Sequence, residues 1–168
     1  IIAFEAQGFA QLCRRDDVIP KVSMVLDDLL REGVGHMVLV PLFPQYSSAA
    51  TGTALQEAMR ILGTYTDVPS VTSVGPFHAD EGYLNAFKQR IDQHKPENYD
   101  HVLFSFHGLP DRHIQRSHTT CSGAMQKDLD KAPVAGCPCE RGPYDKYPSC
   151  YKMQCHATAR ALAERCGL

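Results

Sequence analysis

The sequence has no tryptophan and no apolar run long enough to span a bilayer. It has no excess of charge of either sign: 17 lysines and arginines stand against 19 aspartates and glutamates, a net charge of −2. Such a balance leaves no basic footprint for nucleic acid. No secretory leader is visible, because Ile1-Ile2-Ala3-Phe4 is too short and carries no basic residue. There is no internal repeat and no low-complexity tract. The paired two-residue cysteine gaps of common structural zinc sites are missing as well. These absences point to a cytoplasmic chain with reduced thiols. The chain opens on Ile rather than Met, inside what reads as a strand, so a segment of a longer protein is expected.

What is present supports a core. Hydrophobic residues make up 43% of the 168, enough for one ordinary domain or parts of two. Ile1 to Phe4 reads as a strand end, and Glu5 to Cys13 shows weak helical periodicity. Pro20 can open a helix running to Glu32. In it Val22, Val25, Leu26, Leu29 and Leu30 fall at helical spacing, with Gly33 as its stop. His36 to Leu42 is nearly continuous in apolar residues, the pattern of a strand covered on both faces in a parallel sheet. Leu55 to Leu62 predicts a helix with Leu55, Met59 and Leu62 inward, and Val71 to Val74 a short strand. Asp80 is a candidate N-cap for a helix whose stripe is Tyr83, Leu84, Phe87 and Ile91. His94 to Asn98 breaks that helix. His101 to Phe106 predicts a buried strand ending at His107, and Tyr151 to Cys166 a helix with Cys155, Ala159, Leu162 and Cys166 on one face. Alternating helices and buried strands give the α/β class.

Three stretches could carry chemistry. Phe43-Pro44-Gln45-Tyr46-Ser47, running on to Thr53, sets aromatic rings and hydroxyls just past a strand end. That suits a flat apolar ligand with polar edges. It equally suits an ordinary loop whose serine or threonine caps the next helix. His107 is followed by Gly108 and Pro110, which stiffen the turn. A strand-end histidine can serve as a general base near neutral pH, or simply hydrogen-bond within its turn. His78 is a weaker candidate, and His94, His101, His113, His118 and His156 read as surface residues. The third stretch holds Cys121, Cys137, Cys139 and Cys150 in a segment with little apolar content. Four thiolates on one metal centre would offset the entropy of ordering it; incidental cysteines in a disordered loop, or two disulfides, are the competing readings. Cys155, Cys166 and Cys13 read as small core residues.

Together these residues resemble a known family. Pro41-Leu42-Phe43-Pro44-Gln45-Tyr46-Ser47 with Ala50-Thr51-Gly52 is similar to the pocket segment of ferrochelatases. Phe104-Ser105-Phe106-His107-Gly108-Leu109-Pro110 is similar to their histidine signature. Tyr151-Lys152-Met153-Gln154-Cys155, with Thr158 and Ala159, resembles the helix that follows. The resemblance implies a Rossmann-like, chelatase-type fold of two similar domains with parallel sheets, here incomplete. Residues 1–98 would be the latter part of the first domain. Residues 99–168 would open the second, with an insert at about 111–150.

It implies insertion of Fe2+, as substrate, into protoporphyrin IX or coproporphyrin III in heme biosynthesis. His107 would be the catalytic base, and Phe43, Gln45, Tyr46 and Ser47 the porphyrin-binding residues. It also implies a 2Fe-2S cluster on Cys121, Cys137, Cys139 and Cys150, as in bacterial members with an internal four-cysteine insert. Ser48 stands where animal members carry a ligand in the pocket segment. The expected partners are porphyrin and ferrous iron, with no nucleic acid and no transmembrane segment. Peripheral membrane contact and a homodimer stay open. Against the family pattern, the first porphyrin-contacting loops, the arginine-tyrosine motif expected near residues 14–22 and the acidic partner of the histidine are missing. The chain alone is therefore expected to be inactive. Two other readings compete: a non-catalytic metal-binding or interaction module built on the cysteines, and a related chelatase for sirohydrochlorin or cobalt.

Overall fold

The computed structural model describes residues 2–4, 22–110, 112–114 and 150–168. They fall into two compact units, Ile1–Pro76 and Phe77–Leu168.

In the first unit the chain order is β1 (Ile2–Phe4), α1 (Val22–Arg31), β2 (His36–Pro41), α2 (Thr53–Leu62) and β3 (Ser70–Ser73). The strands form a three-stranded sheet in the order β1-β2-β3. Both pairings are parallel, with Ile2 opposite Leu39 and Met37 opposite Val71. This is a small α/β unit, as the alternation of elements predicts. Its core takes Val22 and Leu26 from α1, Met37 and Leu39 from β2, and Ala58, Ile61 and Leu62 from α2. Leu26 is fully buried, and a side chain of that kind contributes about 1.5–3 kcal/mol by leaving water.

The end of α1 is built by its glycine. Gly33 has φ +77°, a conformation that a residue with a Cβ adopts only at a cost. The turn sends the Gly33 N–H to the Leu30 carbonyl at 3.0 Å and the Val34 N–H to the Leu29 carbonyl at 3.1 Å. Those two bonds make the Schellman closure, and Val34, Leu29 and Leu30 all pack on the core just described.

Two expectations for this unit need correction. β2 is not covered on both faces: Met37, Leu39 and Pro41 are buried, while Val38 is 45% exposed. The described helices of this unit bury one face of the strand, and the side chains alternate accordingly. Met59 does not point inward and is 45% exposed. The small Ala58 takes the inward position, so α2 closes on β2, and Met59 falls about 100° further round the helix.

The second unit holds α3 (Glu81–Gln93), a short 3-10 turn (Pro96–Asn98), a helical turn at 112–114 and α4 (Tyr151–Cys166). Asp80 caps α3 as predicted, its carboxylate accepting the Tyr83 N–H at 3.0 Å. α3 and α4 pack on each other. Arg165 on α4 also reaches Asn85 at 3.1 Å and Glu81 at 2.6 Å. Leu84 is buried, but Phe87 is 46% exposed. Its ring instead lies 4.9 Å from that of Tyr83, which meets Phe77 edge-on at 5.7 Å. A second core cluster joins Ile114, Cys150 and Met153, with Leu109, Tyr151 and Ala157 packed against it.

The predicted strand His101 to Phe106 does not form. Residues 101–110 carry no regular secondary structure, and Leu103 is 89% exposed. A strand needs a neighbour to take its main-chain hydrogen bonds, and no strand is assigned among the described residues of this unit.

Candidate functional site

In the first unit, the segment after β2 runs directly into a π-helical turn, Ser48–Gly52, which feeds α2. The Gly52 N–H reaches the Ser47 carbonyl at 3.0 Å, a five-residue step. Such single turns often mark functional segments. Ser47 is buried, and its hydroxyl accepts the Ala50 N–H at 3.1 Å. The capping role weighed for this loop is thus filled by Ser47 itself. Phe43, Gln45 and Tyr46 are half-buried around it. The Tyr46 hydroxyl lies 3.4 Å from where a side chain on Gly52 would begin, so glycine there lets the ring sit close. The Thr51 hydroxyl is buried without a hydrogen-bond partner.

In the second unit, His107 lines a cavity of about 330 Å³ whose wall includes Phe104, Phe106, Tyr151, Lys152 and Cys155. His107 is exposed on an irregular segment rather than held at a strand end. The segment is tied to α4: the Tyr151 hydroxyl donates to the His107 main-chain carbonyl at 2.9 Å. Burial raises the Tyr151 phenol above its usual range, and Cys155 beside it adds to the rise. Burial also pushes the Cys155 thiol up to about 11, against a smaller opposing effect of the Tyr151 hydroxyl. Both groups therefore keep their protons at neutral pH, and the tyrosine is available as a donor.

His78, the weaker candidate, is not a solvated residue. It is half-buried, its Nδ1 has no hydrogen-bond partner, and desolvation lowers its pKa. Its main-chain carbonyl accepts from Thr158 on α4 at 2.9 Å. Of the histidines expected at the surface, His94, His101 and His156 are exposed and His113 is half-buried, while His118 lies outside the described residues.

Cys121, Cys137 and Cys139 also lie outside the described residues. Cys150 is described: it is buried and caps α4, its sulfur accepting the Met153 N–H at 3.3 Å. Among the described residues no group of three or more His, Cys, Asp or Glu could hold a metal ion. No helix among them is long and apolar enough to cross a membrane.

The family model for ferrochelatase matches residues 17–168. The chain belongs to the ferrochelatase family. It is 35% identical over 149 residues to a ferrochelatase of Pseudomonas paraeruginosa and 32% identical over 149 residues to one of Stutzerimonas stutzeri. In both cases 89% of this chain aligns with 41% of the relative. The chain thus spans about two-fifths of the length of the ferrochelatases it matches. No solved structure matches it.

Against this family background, two features of α4 stand out that periodicity alone does not reveal. Gln154 is fully buried and Thr158 is 1% exposed, although both are polar. The apolar stripe drawn through Cys155, Ala159 and Leu162 hides them. Their signal in the sequence is the helix motif that holds Gln154 and Thr158, and not the apolar periodicity.

Proposed function

We propose that this chain is part of a ferrochelatase that inserts Fe2+ into protoporphyrin IX or coproporphyrin III, with His107 as the base. The observation that carries the reading is the His107 loop. An imidazole faces a cavity walled by aromatic side chains, within a region that matches the ferrochelatase model. Metal insertion exchanges two pyrrole N–H protons for one divalent ion, so the site must accept protons next to an apolar ring system. The His107 ring nitrogen would take a pyrrole proton, and the rings of Phe104 and Phe106 would keep water from competing for it. Phe43, Gln45, Tyr46 and Ser47 would contribute to porphyrin binding. Residues 1–98 and 99–168 would belong to the two similar domains of the family.

Cys150, with Cys121, Cys137 and Cys139, would hold a 2Fe-2S cluster. When bound, the cluster would supply a covalent cross-link that orders the cysteine segment. The buried, N–H-bonded sulfur of Cys150 supports this part of the reading.

The decisive experiment is His107→Ala in the full-length protein. Turnover should fall by roughly 10²–10⁴-fold, with porphyrin affinity kept. Turnover near wild type would end the assignment. Visible absorption of the purified protein tests the cluster: charge-transfer bands that disappear in Cys150→Ser support it, and a colourless, zinc-loaded protein refutes it.

A further inference from the structure

The loop that presents His107 is held by side-chain contacts and turns rather than by a sheet. Residues 101–110 lie outside any helix or strand. A side chain built at Gly108 would find no atom within 4 Å, so packing does not wedge the backbone there. Contacts on both sides of Gly108 engage the loop. Leu109 packs against the Ile114, Cys150 and Met153 cluster, and the main-chain carbonyl of His107 receives the Tyr151 hydroxyl at 2.9 Å. These two anchors lie on either side of Gly108.

Tyr151 is itself firmly rooted. It is the first residue of α4, a helix whose Met153, Gln154, Thr158 and Leu162 are all buried. Tyr151 packs on the same cluster as Leu109. One aromatic side chain thus joins the packed body of the unit to the main chain of the very residue proposed to act as base. A peptide plane fixed at its carbonyl fixes the direction from which the imidazole leaves the backbone.

From this geometry we infer that Tyr151 is the positioning residue of the site: its hydroxyl sets the His107 peptide so that the imidazole is held toward its substrate. The inference rests on the reading of His107 as the base. Tyr151 acts through His107 and does not itself exchange a proton with substrate.

The test is Tyr151→Phe in the full-length protein, alone and combined with His107→Ala. The variant keeps the ring and its packing and deletes only the hydroxyl. For ferrous-iron insertion kcat should fall by roughly tenfold, since misplacement of a reacting group by an ångström can cost up to 10²-fold. KM for porphyrin should stay within about twofold, because uniform binding is untouched. In the His107→Ala background, Tyr151→Phe should cause no further loss. Unchanged kcat in the single variant would overturn the inference. So would an equal further fall in the double variant, because a general structural role would act whether or not the imidazole is present. If His107→Ala alone keeps wild-type turnover, it is the base assignment that fails. If His107→Ala is crippled while Tyr151→Phe turns over normally, only the positioning role is lost.

Discussion

Thr158 is the point where a single hydroxyl holds together segments eighty residues apart, and replacing it with valine tests how much that hydroxyl contributes. Thr158 is 1% exposed, and its Oγ lies 2.9 Å from the His78 carbonyl and 3.0 Å from the Gln154 carbonyl. The hydroxyl has one proton to give. The Gln154 carbonyl is four residues back on α4 and keeps its ordinary helical N–H donor. The His78 carbonyl belongs to the irregular segment before α3, outside any helical ladder. Valine preserves the branched shape, so little cavity is created. The cost is then the net value of one hydrogen bond plus a poorly satisfied acceptor, about 1–3 kcal/mol in all. Urea unfolding followed by far-UV circular dichroism should show a lower midpoint at unchanged slope. The melting temperature should drop by about 2–4 °C per kcal/mol for a chain of this size. Thr158→Ser, which keeps the hydroxyl and loses one methyl, should cost less, about 0.8 kcal/mol. A valine variant within 0.5 kcal/mol of wild type, on the scale of an inconsequential surface change, would refute the reasoning. So would a serine variant less stable than the valine one.

Two further outcomes are expected. Gly33→Ala should destabilise by about 1 kcal/mol, since φ +77° is reached by alanine only with strain; the same denaturation assay reads it, and a neutral result would mean that the α1 end re-forms without the left-handed residue. His78 should make stability depend on pH. Its folded pKa lies below the ordinary 6.5, so between the two values the unfolded chain binds more protons and stability rises with pH. Stability should therefore fall as pH drops from about 6.5 through the depressed folded value, and His78→Gln should flatten that part of the profile; an unchanged profile would contradict the burial argument.

Much of the fold was legible in the sequence where local rules and packing agree. The α1 stripe, Gly33 as its stop, Asp80 as a cap and the span of α4 all follow from periodicity and turn chemistry. Met59 and Phe87 fall outside the buried stripe because periodicity fixes a stripe only to within a residue, and the side chain that fits a close approach can be a small one such as Ala58. The stretch from His101 to Phe106 has every mark of a strand, yet a strand is a relation between segments and not a property of one. The candidate site was legible as residue types, His107 and the loop after β2. Its geometry was not, because a hydrogen bond from Tyr151 to a main-chain carbonyl 44 residues away leaves no trace in spacing.

The cluster of Ile114, Cys150 and Met153 has a consequence for how this region can change. Ile114 and Cys150 stand at the two ends of the cysteine-bearing stretch, and both are buried in the same small core. The positions that flank residues 115–149 are therefore packed together. The entropy of holding two such anchors together grows only with the logarithm of the chain between them, about 0.6 kcal/mol for each doubling. Because that cost rises so slowly, the packing of Ile114 against Cys150 sets only a weak limit on the number of residues that separate them.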